Sequence, residues 1–174
     1  NSSYKLTTHS NQHYFIKINN ISLMDMFIAE FEGLNELQKC KEIITPRPIC
    51  YGQQENYSFI VMEYLSLNSI GDSYNLGKNL AKMHKISQTQ FGWKINNTIG
   101  STAQSNQLCD NWVDFWKNER LIPQFKLLYS KGYKGQLKNK ADYLLASIED
   151  FFQGYQPIAS LLHGDLWSGN AAFD

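Results

Sequence analysis

An aspartate and an asparagine lie five residues apart in a short polar segment near the end of the chain. They are Asp165 and Asn170, and His163 precedes the aspartate by two positions. Phosphoryl transfer uses such a pair: a carboxylate accepts the proton of the attacking hydroxyl, and an amide oxygen holds magnesium near the phosphates. The alternative is a turn in which both side chains only satisfy backbone donors. The chemical interpretation makes Asp165 a catalytic base and Asn170 a magnesium ligand.

A lysine and a glutamate in the first part of the chain support this interpretation. The order His-x-Asp-x4-Asn is a kinase catalytic-loop pattern, with Gly164 where protein kinases have arginine. Kinases also need a strand lysine that contacts the nucleotide phosphates and a helical glutamate that holds that lysine. Lys17 ends the strand-like segment 14–17, and Glu30 follows thirteen residues later. Glu32 is the alternative partner, but Glu30 is favoured because it lies four residues before Leu34, on the apolar face of the helix.

A third part of the predicted site lies where an apolar strand ends. Met62, Glu63 and Leu65 follow the run Ser58–Val61 and precede a short polar segment. In a kinase-like arrangement, backbone groups at this point meet the edge of adenine. These three residues are therefore predicted to contact ATP, although a buried strand followed by a turn would have the same pattern.

Hydrophobic periodicity predicts the elements that position these residues. Segments 4–8 and 13–18 predict one β-hairpin, and segments 49–52 and 57–64 predict a second, with 58–62 as a central strand. Apolar residues three and four apart predict a helix over 22–40, with Ser22 as its N-cap.

The rest of the chain is predicted to be mostly helical. Helices are expected over 73–86, 110–129 and 137–152, with an irregular loop over 88–106. Strands followed by helices predict an α+β fold of the protein-kinase-like, two-lobe type. We divide it into an N-lobe at 1–64, a hinge at 65–71 and a partial helical C-lobe at 72–174.

Composition excludes several other classes of function. The chain has 16 basic and 16 acidic residues, so it shows no electrostatic signature for nucleic acid or an anionic membrane. It contains no apolar run long enough to span a bilayer and no signal-peptide pattern at its start. Its three cysteines are far apart and show no metal-ligand spacing, which favours free thiols and a cytoplasmic location.

Several segments together resemble the fructosamine kinase (ketosamine-3-kinase) family. The resemblance covers almost the whole chain, and the Leu-Trp-Ser-Gly-Asn wording of 166–170 separates this family from aminoglycoside and choline kinases, which share the His-x-Asp-x4-Asn logic. The other resembling segments are 14–17, 26–34, 58–65, 80–84, 91–104, 112–121 and 163–165.

The resemblance implies ATP- and Mg2+-dependent phosphorylation of the 3-hydroxyl of a ketosamine, either a small molecule or a sugar adduct on a protein lysine. The phosphorylated adduct can release the amine, so the family is linked to deglycation. By position, Asp165 is then the base, Asn170 a magnesium ligand, Lys17 a phosphate contact and Glu30 its partner. Trp167 resembles a platform for the sugar, and a core tryptophan is the alternative for this residue.

The chain departs from the family pattern at both ends. No glycine precedes Lys17, so residues 1–3 are expected to be the last part of a glycine-rich loop whose remainder is missing. Asp174 lies only four residues after Asn170 and is expected in a following hairpin, which leaves the second magnesium carboxylate outside the chain. A chain truncated in this way is expected to be inactive alone.

Two other functions compete with a ketosamine kinase. One is a small-molecule kinase for a cationic acceptor of the aminoglycoside or choline type, and the segment 161–170 argues against it because Asp165 is its only acidic residue. The other is a non-catalytic kinase-like binding module, against which Lys17, Asp165 and Asn170 argue.

Overall fold

In the computed structural model, which describes residues 2–173, four antiparallel strands form one sheet in the order β1-β2-β4-β3. The strands are β1 Ser2–Thr7, β2 His13–Asn20, β3 Pro48–Gln54 and β4 Tyr57–Glu63. The prediction of two hairpins and of a central position for the apolar strand is confirmed, because β4 lies between β2 and β3. A strand with neighbours on both sides suits a nearly continuous apolar segment.

The helix between the two hairpins packs against this sheet. A 3-10 turn, Ile21–Leu23, leads into α1, Met24–Leu37. The predicted N-cap at Ser22 is wrong: the side chain of Asn20 accepts the Ser22 N–H at 3.0 Å and caps the 3-10 turn instead. Phe27 of α1 is fully buried and forms a core with Ile60 and Met62 of β4. This core sets the position of α1 on the sheet.

One compact unit contains the described chain up to Ile86 and from Leu161 onward. Besides the sheet and α1, it contains α2, Ser73–Met83, whose first turn is capped by Asp72 Oδ1 accepting the Asn75 N–H at 3.0 Å. The chain returns to this unit at Leu161, whose N–H donates to the Ile86 carbonyl at 2.8 Å. The predicted boundaries of the N-lobe at 1–64, the hinge at 65–71 and the C-lobe at 72–174 stay a prediction.

The second unit, Ser87–Ser160, is mainly helical. A short hairpin, β5 Asn97–Ile99 with β6 Thr102–Gln104, lies in the segment predicted to be an irregular loop. The helices are α3 Trp112–Phe115, a π-helical turn Trp116–Leu121, α4 Ile122–Ser130 and α5 Gln136–Ser147, followed by a 3-10 turn Ile148–Phe152.

The predicted helix 110–129 is present as one uninterrupted helical segment from Trp112 to Ser130, and Pro123 explains the π-helical turn within it. Proline has no N–H to donate to the carbonyl four residues earlier, and its ring crowds that carbonyl. The helix widens just before it, so that Ile122 N–H donates to the Lys117 carbonyl, five residues back. The Glu119 carbonyl, which loses the proline as a donor, accepts from Arg120 Nη1 at 2.9 Å instead.

Candidate active site

Lys17 and Glu30 form an ion pair between β2 and α1. Lys17 Nζ lies 2.5 Å from Glu30 Oε1, and the two side chains are 29% and 25% exposed. Lys17 stands opposite Ile60 in the sheet register, on the face where Phe27 packs. The core beneath the pair therefore fixes the distance between strand and helix, and the structure selects Glu30 over Glu32 as the contact of Lys17.

The end of β4 combines a buried side chain with an engaged backbone. Met62 is buried in the core cluster, whereas Glu63 is exposed and Leu65 is half-buried. Glu63 N–H donates to the Arg47 carbonyl at 2.9 Å, and Arg47 N–H donates to Glu63 Oε2 at 3.3 Å. An adenine contact from Glu63 would therefore use its carbonyl oxygen and not its N–H.

The segment that carries Asp165 turns sharply at Gly164, whose φ is +84°. This φ lies in the left-handed region, which glycine adopts without steric cost. His163 Nδ1 accepts a hydrogen bond from Asp165 N–H at 3.3 Å. Asp165 itself is exposed, so its carboxylate is accessible to a ligand.

The side-chain amide of Asn170 is hydrogen-bonded to Asp165. Its Nδ2 donates to the Asp165 carbonyl oxygen at 2.8 Å and to Asp165 Oδ2 at 3.0 Å. Because the amide nitrogen is used in this way, the oxygen Oδ1 remains as an acceptor. The pair thus offers a carboxylate and an amide oxygen side by side.

Trp167 lies between these two residues in sequence and is 61% exposed. A tryptophan that served only as core would be largely buried. Trp167 is therefore not a core residue of the part of the chain that the structure describes.

The predicted hinge contacts the segment that follows Asn170. Asn68 N–H donates to the Phe173 carbonyl at 2.5 Å, and Phe173 N–H donates to the Asn68 carbonyl at 2.9 Å. The Phe173 ring occupies the space where a side chain at residue 71 would stand, so Gly71 permits this approach. Backbone pairing thus holds Asn68 of the predicted hinge beside Phe173.

The donor set fits a magnesium–nucleotide complex better than a protein-only metal site. Among residues 2–173, no three His, Cys, Asp or Glu side chains are grouped closely enough to hold a metal ion. Mg2+ prefers oxygen ligands and is commonly bound by one or two protein groups together with substrate phosphates. Asp165 and Asn170 supply such oxygens. The predictions that concern Asn1 and Asp174 lie outside the described residues.

Sequence reasoning missed a polar network in the second unit. Asn106 is 3% exposed, and its Nδ2 donates to the Ile95 carbonyl at 2.8 Å and to Asn97 Oδ1 at 2.9 Å. Arg120 Nη2 donates to Asn106 Oδ1 at 2.6 Å, and its Nη1 donates to the Ser105 carbonyl at 2.6 Å. Burial lowers the pKa of Arg120, opposed by the charge of Glu119. This network connects residues 95, 97, 105 and 106 to the helical turn that carries Arg120.

Curated proteins of other organisms resemble the chain over most of its length. A probable ketoamine kinase of Synechocystis sp. is 38% identical over 164 residues, which cover 92% of this chain and 55% of that protein. A chloroplastic protein-ribulosamine 3-kinase of Arabidopsis thaliana is 35% identical over 165 residues, which cover 92% and 51%. The crystal structure of a candidate fructosamine-3-kinase from Haemophilus somnus matches with a TM-score of 0.78 at 25% identity, over 96% of this chain and 60% of that one.

The chain combines a small antiparallel sheet, a strand lysine paired with a helical glutamate, and a His-x-Asp-x4-Asn segment. These features define a protein of the kinase-like α+β class, and the structural match confirms that fold. The fructosamine kinase family model matches residues 1–174, and the chain belongs to this family. The chain spans about half the length of the curated relatives it matches. No helix among residues 2–173 has the length and apolar character needed to cross a membrane.

Proposed function

We propose that the protein transfers the γ-phosphoryl group of ATP to the 3-hydroxyl of a ketosamine. The observation that carries the proposal is the occurrence, in one compact unit, of two pairs from distant parts of the chain. One is the Lys17–Glu30 ion pair and the other is the Asp165–Asn170 pair. A cation for phosphates and a carboxylate beside an amide oxygen are the groups that phosphoryl transfer needs.

In this proposal, Asp165 accepts the proton of the substrate 3-hydroxyl. The hydroxyl oxygen forms a bond to the γ-phosphorus, the bond from the γ-phosphorus to the β–γ bridging oxygen breaks, and ADP leaves. Asp165 suits this role because its carboxylate is exposed and is oriented by Asn170 Nδ2. Its protonated form would release the proton to solvent afterwards.

Lys17 would bind the nucleotide phosphates while Glu30 orients it. The pair is held on a rigid sheet by the Phe27 core, which supports such positioning. Asn170 Oδ1 would hold magnesium, which neutralises phosphate charge when it is bound. Met62 would lie behind the adenine, and Glu63 and Leu65 would offer it backbone groups.

Trp167 would bind the sugar through its exposed ring, because an indole surface suits the C–H face of a carbohydrate. The acceptor would be a fructosamine or ribulosamine, either as a small molecule or on a protein lysine, and the reaction would be a step in deglycation. The names of the relatives, ketoamine kinase and protein-ribulosamine 3-kinase, support this acceptor class. We place the reaction in the cytoplasm and expect neither nucleic acid nor a membrane as a partner.

Mass spectrometry of fructosyl-lysine tests the proposal. The complete gene product that contains this chain is incubated with Mg-ATP and the ketosamine, alongside an Asp165→Asn variant. We expect one added phosphate with the natural protein and at least a hundredfold slower addition with the variant, because the carboxylate that accepts the proton is gone.

Two results would point elsewhere. ATP binding without phosphate on any ketosamine would indicate a different small-molecule acceptor. No ATP binding at all would indicate a binding module. An Asp150→Asn variant serves as the control for the loss of one acidic group, since Asp150 is exposed and lies in the other unit.

A further inference from the structure

Residues 167–170 form a tight turn with a glycine in its centre. Asn170 N–H donates to the Trp167 carbonyl at 2.9 Å, which places Ser168 and Gly169 at the two central positions. Gly169 is not among the glycines of positive φ. Its φ therefore lies outside the left-handed region that favours glycine, so φ gives no reason for a glycine here.

The side chain of Trp167 supplies the reason for a glycine. A Cβ built on Gly169 would lie 2.5 Å from Trp167 Cζ2 and 2.7 Å from Cζ3. Real Cβ atoms essentially never come closer than 3.0 Å to another heavy atom. The six-membered ring of the indole therefore packs against the backbone of Gly169. It occupies the space that the Cβ of any other residue would need.

The same ring is largely open to solvent away from Gly169. Trp167 remains 61% exposed even with this contact. Hydrogen bonds on both sides fix the backbone, since Asn170 binds both the Trp167 carbonyl and Asp165. The contact with Gly169 restrains the side-chain torsions of Trp167 on one side of the ring.

We infer that Gly169 is a positioning residue for the acceptor sugar: it holds the Trp167 indole in the orientation that binds a ketosamine. The inference rests on the proposed function and adds a residue that does not itself touch the substrate. A methyl group at residue 169 displaces the indole, because a ring at the end of a rotatable side chain moves more easily than a hydrogen-bonded turn. The Asp165–Asn170 pair and the nucleotide contacts stay in place.

Steady-state kinetics of Gly169→Ala in the complete gene product test the inference. With fructosyl-lysine varied at saturating Mg-ATP, we expect KM for the sugar to rise about five- to tenfold, within the roughly two- to twelvefold range for losing one aromatic stacking contact. KM for ATP and kcat should change by less than about twofold. Isothermal titration of fructosyl-lysine without nucleotide should show the same loss of affinity. Gly77→Ala is the matched control, since Gly77 is helical and has open space around its Cβ position.

A double-mutant cycle separates action through the indole from a general disturbance. In a Trp167→Ala background, Gly169→Ala should have no further effect on KM, because the displaced group is absent. An equal rise in both backgrounds would overturn the inference, as would an unchanged KM in the single variant.

The failure of the proposed function has its own signature. If Trp167→Ala leaves KM for the sugar unchanged while phosphorylation continues, the kinase assignment stands and the inference falls. If the natural protein phosphorylates no ketosamine, both fall.

Discussion

Replacing Arg120 by alanine should loosen the segment 91–109 without unfolding the sheet. Arg120 makes three hydrogen bonds: to the Ser105 carbonyl, to Asn106 Oδ1 and to the Glu119 carbonyl. Its guanidinium also lies 4.7 Å from the centre of the Phe115 ring. The substitution leaves the Ser105 and Glu119 carbonyls and the buried Asn106 side-chain oxygen without this donor.

The magnitude follows from the burial of Asn106, which is 3% exposed. A hydrogen bond to a charged group contributes about 1.5–3 kcal/mol, and a buried acceptor left alone costs a similar amount. The Ser105 contact is only half-buried, so water replaces part of it. We expect a loss of about 3 kcal/mol in the free energy of local opening, which is about a hundredfold in the opening equilibrium.

Native-state hydrogen exchange measures this opening directly. The reporter is Trp93 N–H, which donates to the Asn106 carbonyl at 2.9 Å. Its protection should fall about a hundredfold in Arg120→Ala and by an intermediate factor in Arg120→Lys, because an ammonium keeps the charge and loses the fork geometry. Lys126→Ala, which removes an exposed cation from α4, should leave protection unchanged. Unchanged protection in Arg120→Ala would refute the role assigned to this network.

Two further predictions concern the sheet unit. Phe27→Ala, at a fully buried core position, should lower the free energy of unfolding by about 3–5 kcal/mol in urea denaturation. Phe151→Ala, at a residue that is 70% exposed, should change this free energy little. Equal effects of the two substitutions would contradict the core described above. Glu30→Gln should raise the Kd for Mg-ATP several-fold in titration calorimetry because Lys17 loses its counter-charge, yet it should change stability by less than about 1 kcal/mol because the pair is partly solvated. Glu32→Gln is the matched control, and a larger effect from it would reverse the assignment of the two glutamates.

The contact between Lys17 and Glu30 was accessible to sequence reasoning for a clear physical reason. Strand alternation places Lys17 on the face opposite to Ile16 and Ile18, and helical spacing places Glu30 on the packed side of α1. Each element buries one face, so the two periodicities determine which side chains meet. The start of α1 was predicted less well, because Ser22 and Asn20 both have capping side chains and only the backbone conformation distinguishes them.

The Arg120–Asn106 network could not be predicted in the same way. It joins side chains 14 residues apart through a segment that has no hydrophobic period, so no pattern indicates which amide meets which cation. Pro123 was the one available signal, since it predicts an irregularity in the helix and a carbonyl in need of a donor. Gly92 lies close to the same asparagine: its φ is +105°, and a Cβ there would lie 2.7 Å from the Asn106 carbonyl oxygen. No pattern in the sequence indicates this close approach.

The two halves of the candidate site are held by different kinds of interaction, and this difference has consequences. Lys17 and Glu30 depend on the apolar core under α1, whereas Asp165 and Asn170 depend on hydrogen bonds within their own exposed loop. Loss of core packing should therefore disturb the position of Lys17 first, while the geometry of the loop persists. Conversely, Asn170→Ala should free the Asp165 carboxylate without changing the Lys17 contact. A single measurement of activity cannot separate these effects, so nucleotide affinity and acceptor affinity have to be followed independently in every variant.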